Sequence, residues 1–335
     1  MQTKMDKKTQ LTKSIPGFME DWQLYKKGLR GLKITDWCVS SDYCFDDPNK
    51  DDTVTFTIFP YDQANKIIHE IGSNVSCEIK NMTHVSDKCI DFIKNSPYFF
   101  HITIVIEKLK NSFQEAEVLN QIENTLKQYE INGIEKAPLS TRKRFSSFKK
   151  LHSYMKQKSH SKKFLAQIFF VATFMSQIFE FLLIKEKGRN PRWCSDRDHM
   201  AVFNDGLIFD IISSKLGALI NNRIADNYVL HRPPEILENK TEYEYDLAIR
   251  IPDIITGIMS SMKFTNKGIQ MDKPKHYQLF QELIANNPKI VTLEYIYQKD
   301  GKGYFQRPYW GIPIEGYQYK PFDPDNCKRF TNLPT

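Results

Sequence analysis

The sequence predicts a mixed α/β fold: a sheet flanked by helices, with a hairpin extension at the C-terminal end. Three observations carry that prediction. Residues 37–45, 54–59 and 99–107 alternate with a period of two, as half-buried strands do. Residues 62–72, 113–130 and 164–184 carry apolar side chains at helical intervals. The strand and helix signals interleave along the chain, which is the pattern of a sheet with helices packed on it.

The opening "MQTKMDKKTQLTK" is polar and charged with no apolar run behind it, so residues 1–30 are expected to be a polar segment without a secretory signal. The α/β domain is expected over 31–287. In "WCVSSDYCF", Trp37, Val39, Ser41 and Tyr43 alternate with Cys38, Ser40, Asp42 and Cys44, and "VTFTIF" repeats the alternation. Between them "DDPNKDD" is rich in turn formers, which predicts a hairpin. A helix capped by Asp62 follows, with Ala64, Ile67, Ile68 and Ile71 on one face and Gly72 as its stop. "FFHITIVIE" predicts a third strand with Phe100, Ile102, Ile104 and Ile106 on one side. Leu119, Ile122, Leu126 and Tyr129 then mark a helix ending at "NG".

"FLAQIFFVATFMSQIFEFLLI", from Phe164 to Ile184, has the length of a bilayer span. It carries Gln167, Thr173, Ser176, Gln177 and Glu180, costly groups at bilayer depth, so a central buried helix is expected and no membrane association. A short strand at "RWCSD" and a helix over "GLIFDIISSKLGALI" come next, the latter capped by Asn204 and Asp205. "IRIPDIITGIMSSM" predicts a helix with Pro252 in its first turn. Residues from about His276 to Ala285 read as a helix. The remainder, 288–335, reads as a hairpin turning at "KDGKG" and a tail, an appendage suited to a protein partner.

Composition narrows the setting. The chain has 335 residues, 41% of them hydrophobic and 13% aromatic, enough to bury a substantial core. Its six cysteines have no Cys-x-x-Cys spacing, which argues against a zinc site or disulfide framework and predicts a reducing, cytoplasmic setting. The tripeptides "NVS", "NMT" and "NKT" are then chance matches to the glycosylation pattern. No glycine-rich phosphate loop, nucleophile elbow or zinc-protease helix is present.

The net charge of +7 is unevenly distributed, for no acidic residue lies between Glu135 and Glu180. Inside that window, in a basic insertion near 136–163, stand Arg142, Lys143, Arg144, Lys149, Lys150, Lys156, Lys158, Lys162 and Lys163, interleaved with Phe145, Phe148 and Tyr154. Uncompensated positive charge of this density suits a polyphosphate backbone, and the rings suit stacking on bases; the plain alternative is a solvated linker. Nucleic acid is the expected partner, through Arg142, Lys143, Arg144, Lys149, Lys150, Lys156 and Lys158.

The acids have their own pattern. Asp42 lies mid-strand, where a lone carboxylate is costly unless paired, hydrogen-bonded or bound to metal. In "WCSDRDHM", Asp196 and Asp198 leave one face if the strand continues through Arg197, and Asp198 is a turn residue if it does not. Asp253 opens a predicted helix, where it would favour the helix N-terminus. Together they have the layout by which a sheet gathers carboxylates around magnesium or manganese. His199 beside Asp198 is a candidate for proton transfer, metal ligation or a surface hydrogen bond, and Arg197 for meeting a phosphate or an acid.

"SSDYCFDDPNKDDTVTFTIF", "PRWCSDRDHM" and "IRIPDIITGIMSS" resemble the three blocks of an uncharacterised RNase H-like family. Its members open with a Tyr-Ile-Asp-Glu-Ser-type strand and close with an Ala-Asp-Leu-type helix. The resemblance spans about Leu32 to Met262 and implies an RNase H-like mixed sheet. It places Asp42 at the first-strand acid, Asp196 at the later-strand acid and Asp253 at the acid of the last helix. These residues would hold Mg2+ or Mn2+, with Asp198 as an auxiliary catalytic ligand, in a nuclease acting on RNA or DNA. Tyr43-Cys44 stands where the family has Glu-Ser, so Asp46, Asp47 or Asp198 would have to supply that carboxylate. The alternative keeps the fold without the chemistry, as a nucleic-acid-binding or partner-binding protein.

Overall fold

The computed structural model describes residues 9–308 except 77, 83, 107–112, 196–198, 221–228, 232–245, 266–267, 272, 286 and 298–302. The architecture is mixed α/β. A seven-stranded sheet runs in the order β5-β4-β1-β2-β3-β8-β9. Its strands are β1 (Trp37–Cys44), β2 (Asp52–Pro60), β3 (Phe100–Ile106), β4 (Arg192–Ser195), β5 (Val229–His231), β8 (Ile290–Tyr297) and β9 (Gly303–Gln306). β1, β2 and β3 form an antiparallel meander. β4 adds parallel to β1, β5 parallel to β4, and β8 parallel to β3. A separate hairpin pairs β6 (Met262–Thr265) with β7 (Gly268–Met271).

The alternation of β1 and β2 sorts their side chains onto two helical layers. Phe56 of β2 stacks on Phe174 of α7 (Lys162–Ile184), and Trp193 of β4 packs on Phe209 of α8 (His199–Leu219). On that face also lie α1 (Gln10–Ser14), α2 (Phe18–Gly28), α5 (Glu115–Ile131) and α6 (Leu139–Met155). The opposite face carries α3 (Ala64–Asn74), α4 (Asp87–Asn95), α9 (Asp246–Ser260) and α10 (Pro274–Leu279), which runs into a π-helical turn at Phe280–Ile284. Phe99 meets Phe92 of α4 there.

α7 is the central helix. Ser161 caps it by accepting from Phe164 N–H at 3.2 Å, and most of its length is buried. It is the one helix among the described residues long and apolar enough to cross a membrane, and 67% of its most apolar stretch lies inside the fold, the environment of a core helix. Its hydroxyls find local acceptors: Ser176 Oγ donates to Ala172 O and Thr173 Oγ1 to Phe169 O.

Several expectations change. The N-terminal segment is polar only on its outer side. Leu11, Ile15, Phe18, Trp22 and Tyr25 are buried, and Trp22 sits against Trp37, Phe100 and Phe181. Gly72 lies inside α3, which continues to Asn74. Asp62 instead accepts from the N–H groups of Thr35 and Asp36, fixing the entry to β1. The C-terminal strand pair is no appendage: β8 is hydrogen-bonded along β3, and Val291 and Leu293 belong to the core. Most of its turn and the tail from 309 onward lie outside the described residues.

Pro252 lies inside α9 and not in its first turn. Proline removes the N–H that would have bonded the carbonyl four residues earlier. That carbonyl belongs to Ala248 and accepts from Ser40 Oγ of β1 at 3.2 Å. The break in the helix ladder thus becomes the tie between helix and sheet.

Candidate functional site

Asp42 stands in the second half of β1 and is half-buried. Its alternation places it with Ser40 on the face covered by α9, and Thr256 of α9 donates to its backbone carbonyl at 3.3 Å. Across the sheet Asp42 pairs with Thr55, Thr55 with Thr103 and Thr103 with Thr292, a row of oxygen-bearing side chains. Thr55 Oγ1 donates to Thr103 Oγ1 at 3.0 Å, which gives each hydroxyl a partner inside the layer.

On the other flank, Ser195 of β4 is in register with Ser41 of β1, so described β4 ends one step short of the level of Asp42. Asp196, Arg197 and Asp198 lie outside the described residues. Asp253 projects from the flank of α9 that carries Gly257. Its Oδ2 accepts from Ile79 N–H at 2.6 Å, closing the short turn Ile79–Asn81. A Cβ on Gly257 would come within 2.6 Å of Ile79 Cγ2, so glycine is what lets that turn lie against the helix. The helix-N-terminal role expected of Asp253 does not apply, because α9 begins at Asp246 or earlier. Among the described residues no group of three or more His, Cys, Asp or Glu side chains is placed to hold a metal ion.

The substitute acids occupy the hairpin after β1. Asp46, in the left-handed region at φ 64°, pairs with Lys163 of α7 at 2.8 Å and accepts from Gln167 Nε2 at 3.1 Å. Burial opposes its charge, but these donors hold its carboxyl below the usual range. Asp52 lies 3.5 Å from the same ammonium, and Asp47 lies 3.7 Å from Lys50. The first turn of α7 is therefore held over the end of β1, on the face opposite α9.

The basic run is folded and partly compensated. Arg142 to Lys150 lie on α6. Lys150 pairs with Asp205, and Lys156 with Glu123 at 3.2 Å; Lys162 reaches Glu115 at 2.6 Å and Lys163 reaches the hairpin acids. The sequence concealed these partners because each comes from a distant element. His152 and Lys156 hold Glu123 below the ordinary glutamate range, and Lys162 does the same for Glu115. Arg142, Lys143, Lys149 and Lys158 remain exposed with no acid within ion-pair distance among the described residues. Lys149 lies over the Phe145 ring at 4.7 Å, and Arg144 is half-buried. Phe148 is buried in the core and unavailable for stacking.

His199 is exposed, and its ring stacks on Phe164 at 4.7 Å. Asn204 and Asp205 lie in the non-helical break that precedes the longer part of α8. With Gly206 they run through the left-handed region and kink α8 near its start.

The chain matches no protein-family model, no curated protein and no solved structure.

Proposed function

We propose that this chain is a divalent-metal-dependent nuclease of RNase H-like fold, hydrolysing phosphodiester bonds of RNA or DNA. One observation carries the reading. The β1–β2–β3 meander, extended beyond β1 by parallel β4 and β5, puts Asp42 beside the end of β4, where the chain proceeds to Asp196. That order supports the reading because it brings together the ends of two strands that are distant in sequence.

Asp42, Asp196 and Asp253 would hold Mg2+ or Mn2+, with Asp198 beside them. The all-oxygen character of this set, with Thr55 beside Asp42 on the same face of the sheet, suits a hard cation. Asp253 would have to share its carboxylate between the ion and Ile79 N–H. When bound, the cation supplies Lewis-acid stabilisation at the phosphoryl group. The chain's own contribution is to fix the acids on the sheet and the helix packed on it and to hold the strand through Arg142, Lys143, Lys149 and Lys158, which are exposed and have no acidic partner among the described residues.

The hydrogen bond from Ile79 to Asp253 favours a second reading, a nucleic-acid-binding protein without catalysis, in which Asp253 serves the fold. Calorimetric titration with MnCl2 of the wild type, Asp42→Asn and Asp196→Asn, followed by incubation with labelled single-stranded RNA and DNA, separates the two. The nuclease reading expects manganese binding and cleavage in the wild type and neither in the variants. A wild type that binds nucleic acid but takes up no manganese and cleaves nothing overturns it in favour of the second reading.

A further inference from the structure

Where α6, α7 and α8 meet, four aromatic side chains from separate parts of the sequence gather at the surface. Phe164 lies in the first turn of α7, and the exposed His199 imidazole opens α8 and stacks on it at 4.7 Å with the planes 20° apart. Phe203 stands edge-on to both, 5.0 Å from Phe164 and 5.9 Å from His199. Tyr154, at the end of α6, packs against Phe203 at 5.2 Å. Tyr154, Phe164 and Phe203 are each half-buried, so the group is a surface feature anchored in the fold.

Its position is held from several sides. Ser161 caps α7 immediately before Phe164, and its N–H donates to Tyr154 Oη at 3.2 Å. Lys163 ties the same turn to Asp46 and Asp52 on the β1–β2 hairpin. Asn204, Asp205 and Gly206 turn the chain left-handed directly after Phe203, and Asp205 is paired with Lys150 of α6. A Cβ at Gly206 would meet the Phe209 ring at 3.1 Å, so the turn that aims Phe203 depends on glycine.

The surroundings fit one kind of occupant. Lys158 follows Tyr154 by four residues and is exposed, with no acidic partner among the described residues, while Lys149 and Arg142 lie on another side of α6. Aromatic side chains at the surface, with the exposed His199 ring among them, beside an exposed lysine match a chain of planar bases on a phosphate backbone. In a duplex the faces of internal bases are covered by their neighbours, so a stacking surface of this kind is reached by unpaired bases.

We propose that Phe164, His199, Phe203 and Tyr154 form a platform on which unpaired nucleobases stack, and that it makes single-stranded nucleic acid the substrate class of this protein. The proposal rests on the nucleic-acid reading above and adds the strandedness. The platform lies at the same end of the sheet as Asp42 and the close of β4, since Phe164 shares its turn with the lysine bound to the hairpin after β1. A strand held there would lie at that end of the sheet, on the face opposite the Asp42 side chain.

The test is fluorescence anisotropy in EDTA, which removes divalent metal and with it any metal-dependent cleavage. Three labelled probes are used: a single-stranded DNA of mixed sequence, the same length of abasic strand, and a perfect duplex. The expected result is binding of the base-bearing strand about five- to hundredfold tighter than the abasic strand, the range of one stacked base. His199→Ala, a change at an exposed ring, is expected to reduce that ratio, and Phe203→Leu is the second variant. Equal affinity for abasic and base-bearing strands, or tighter binding of the duplex, overturns the platform while leaving the nucleic-acid reading intact. No binding of any probe overturns both.

Discussion

His101 is a titratable side chain kept neutral inside the sheet. It is fully buried, its Nδ1 lies 2.9 Å from Thr57 Oγ1, and its Nε2 has no hydrogen-bond partner among the described residues. Burial, reinforced by the nearby Lys289 ammonium, lowers its pKa from 6.5 to about 3. A folded-state pKa below the unfolded one means that the unfolded chain takes up a proton first as pH falls. Stability tied to His101 is thus complete above about pH 6.5 and is lost between there and about pH 3, at about 1.4 kcal/mol per pH unit. Urea unfolding between pH 7 and 5 should give midpoints that fall with pH in the wild type and fall less steeply in His101→Gln. Parallel slopes would mean that the imidazole is reached by a proton without unfolding. The sequence hid this residue, because "FFHITIVIE" shows a polar residue on one strand face and says nothing of the Thr57 hydroxyl that meets it.

At the scale of elements, the joint between α9 and β1 is the informative one. Ser40 Oγ donates to the Ala248 carbonyl that Pro252 leaves without a helical donor. Ser40→Ala leaves that buried carbonyl unsatisfied and should cost about 1–3 kcal/mol. Pro252→Ala restores an N–H to the ladder, so the same serine change in that background should cost less, by a coupling of about 0.5 kcal/mol or more. Denaturant titration of the four proteins in the cycle measures it, and additive changes would show the two groups to be independent. The sequence placed Pro252 in the first turn of this helix, because proline at a first turn is the commoner use and the compensating hydroxyl lies 208 residues upstream of that carbonyl. The β1–β2 hairpin and β3 were legible for the opposite reason, since their alternation is written locally and the β1–β2 turn is short. The parallel pairing of β8 with β3 leaves no local trace, and a strand so placed reads as an appendage. The candidate site was legible in the same measure: Asp42 within a strand could be seen, and so could the strand that leads toward Asp196, whereas the bond from Ile79 to Asp253 and the gathering of Tyr154, Phe164, His199 and Phe203 depend on packing between remote elements.

For the molecule as a whole, the N-terminal helices decide how much of the chain folds as one unit. Leu11, Ile15, Phe18, Trp22 and Tyr25 recur at helical spacing, a signal present in the sequence beneath the surrounding lysines, and all are 2% exposed or less. Trp22 packs on Phe100 of β3 and Phe181 of α7, and donates from Nε1 to Glu186 at 2.7 Å, while Tyr25 Oη donates to Tyr98 O at 2.7 Å. These contacts close the gap between the sheet and its central helix at the end away from the candidate acids. Truncating one large aromatic side chain in such a place costs about 3–5 kcal/mol, and a domain has only about 5–15 kcal/mol in total. Removal of residues 1–30 deletes all of these side chains at once and exposes Trp37, Phe100 and Phe181. The shortened chain should therefore show no cooperative thermal transition. Trp22→Phe, which keeps most of the volume and loses the bond to Glu186, should retain the transition at a lower temperature. If the shortened chain instead unfolds cooperatively near the wild-type temperature, the helices are a detachable cover, and the sheet with α7 and α9 is sufficient to hold the site.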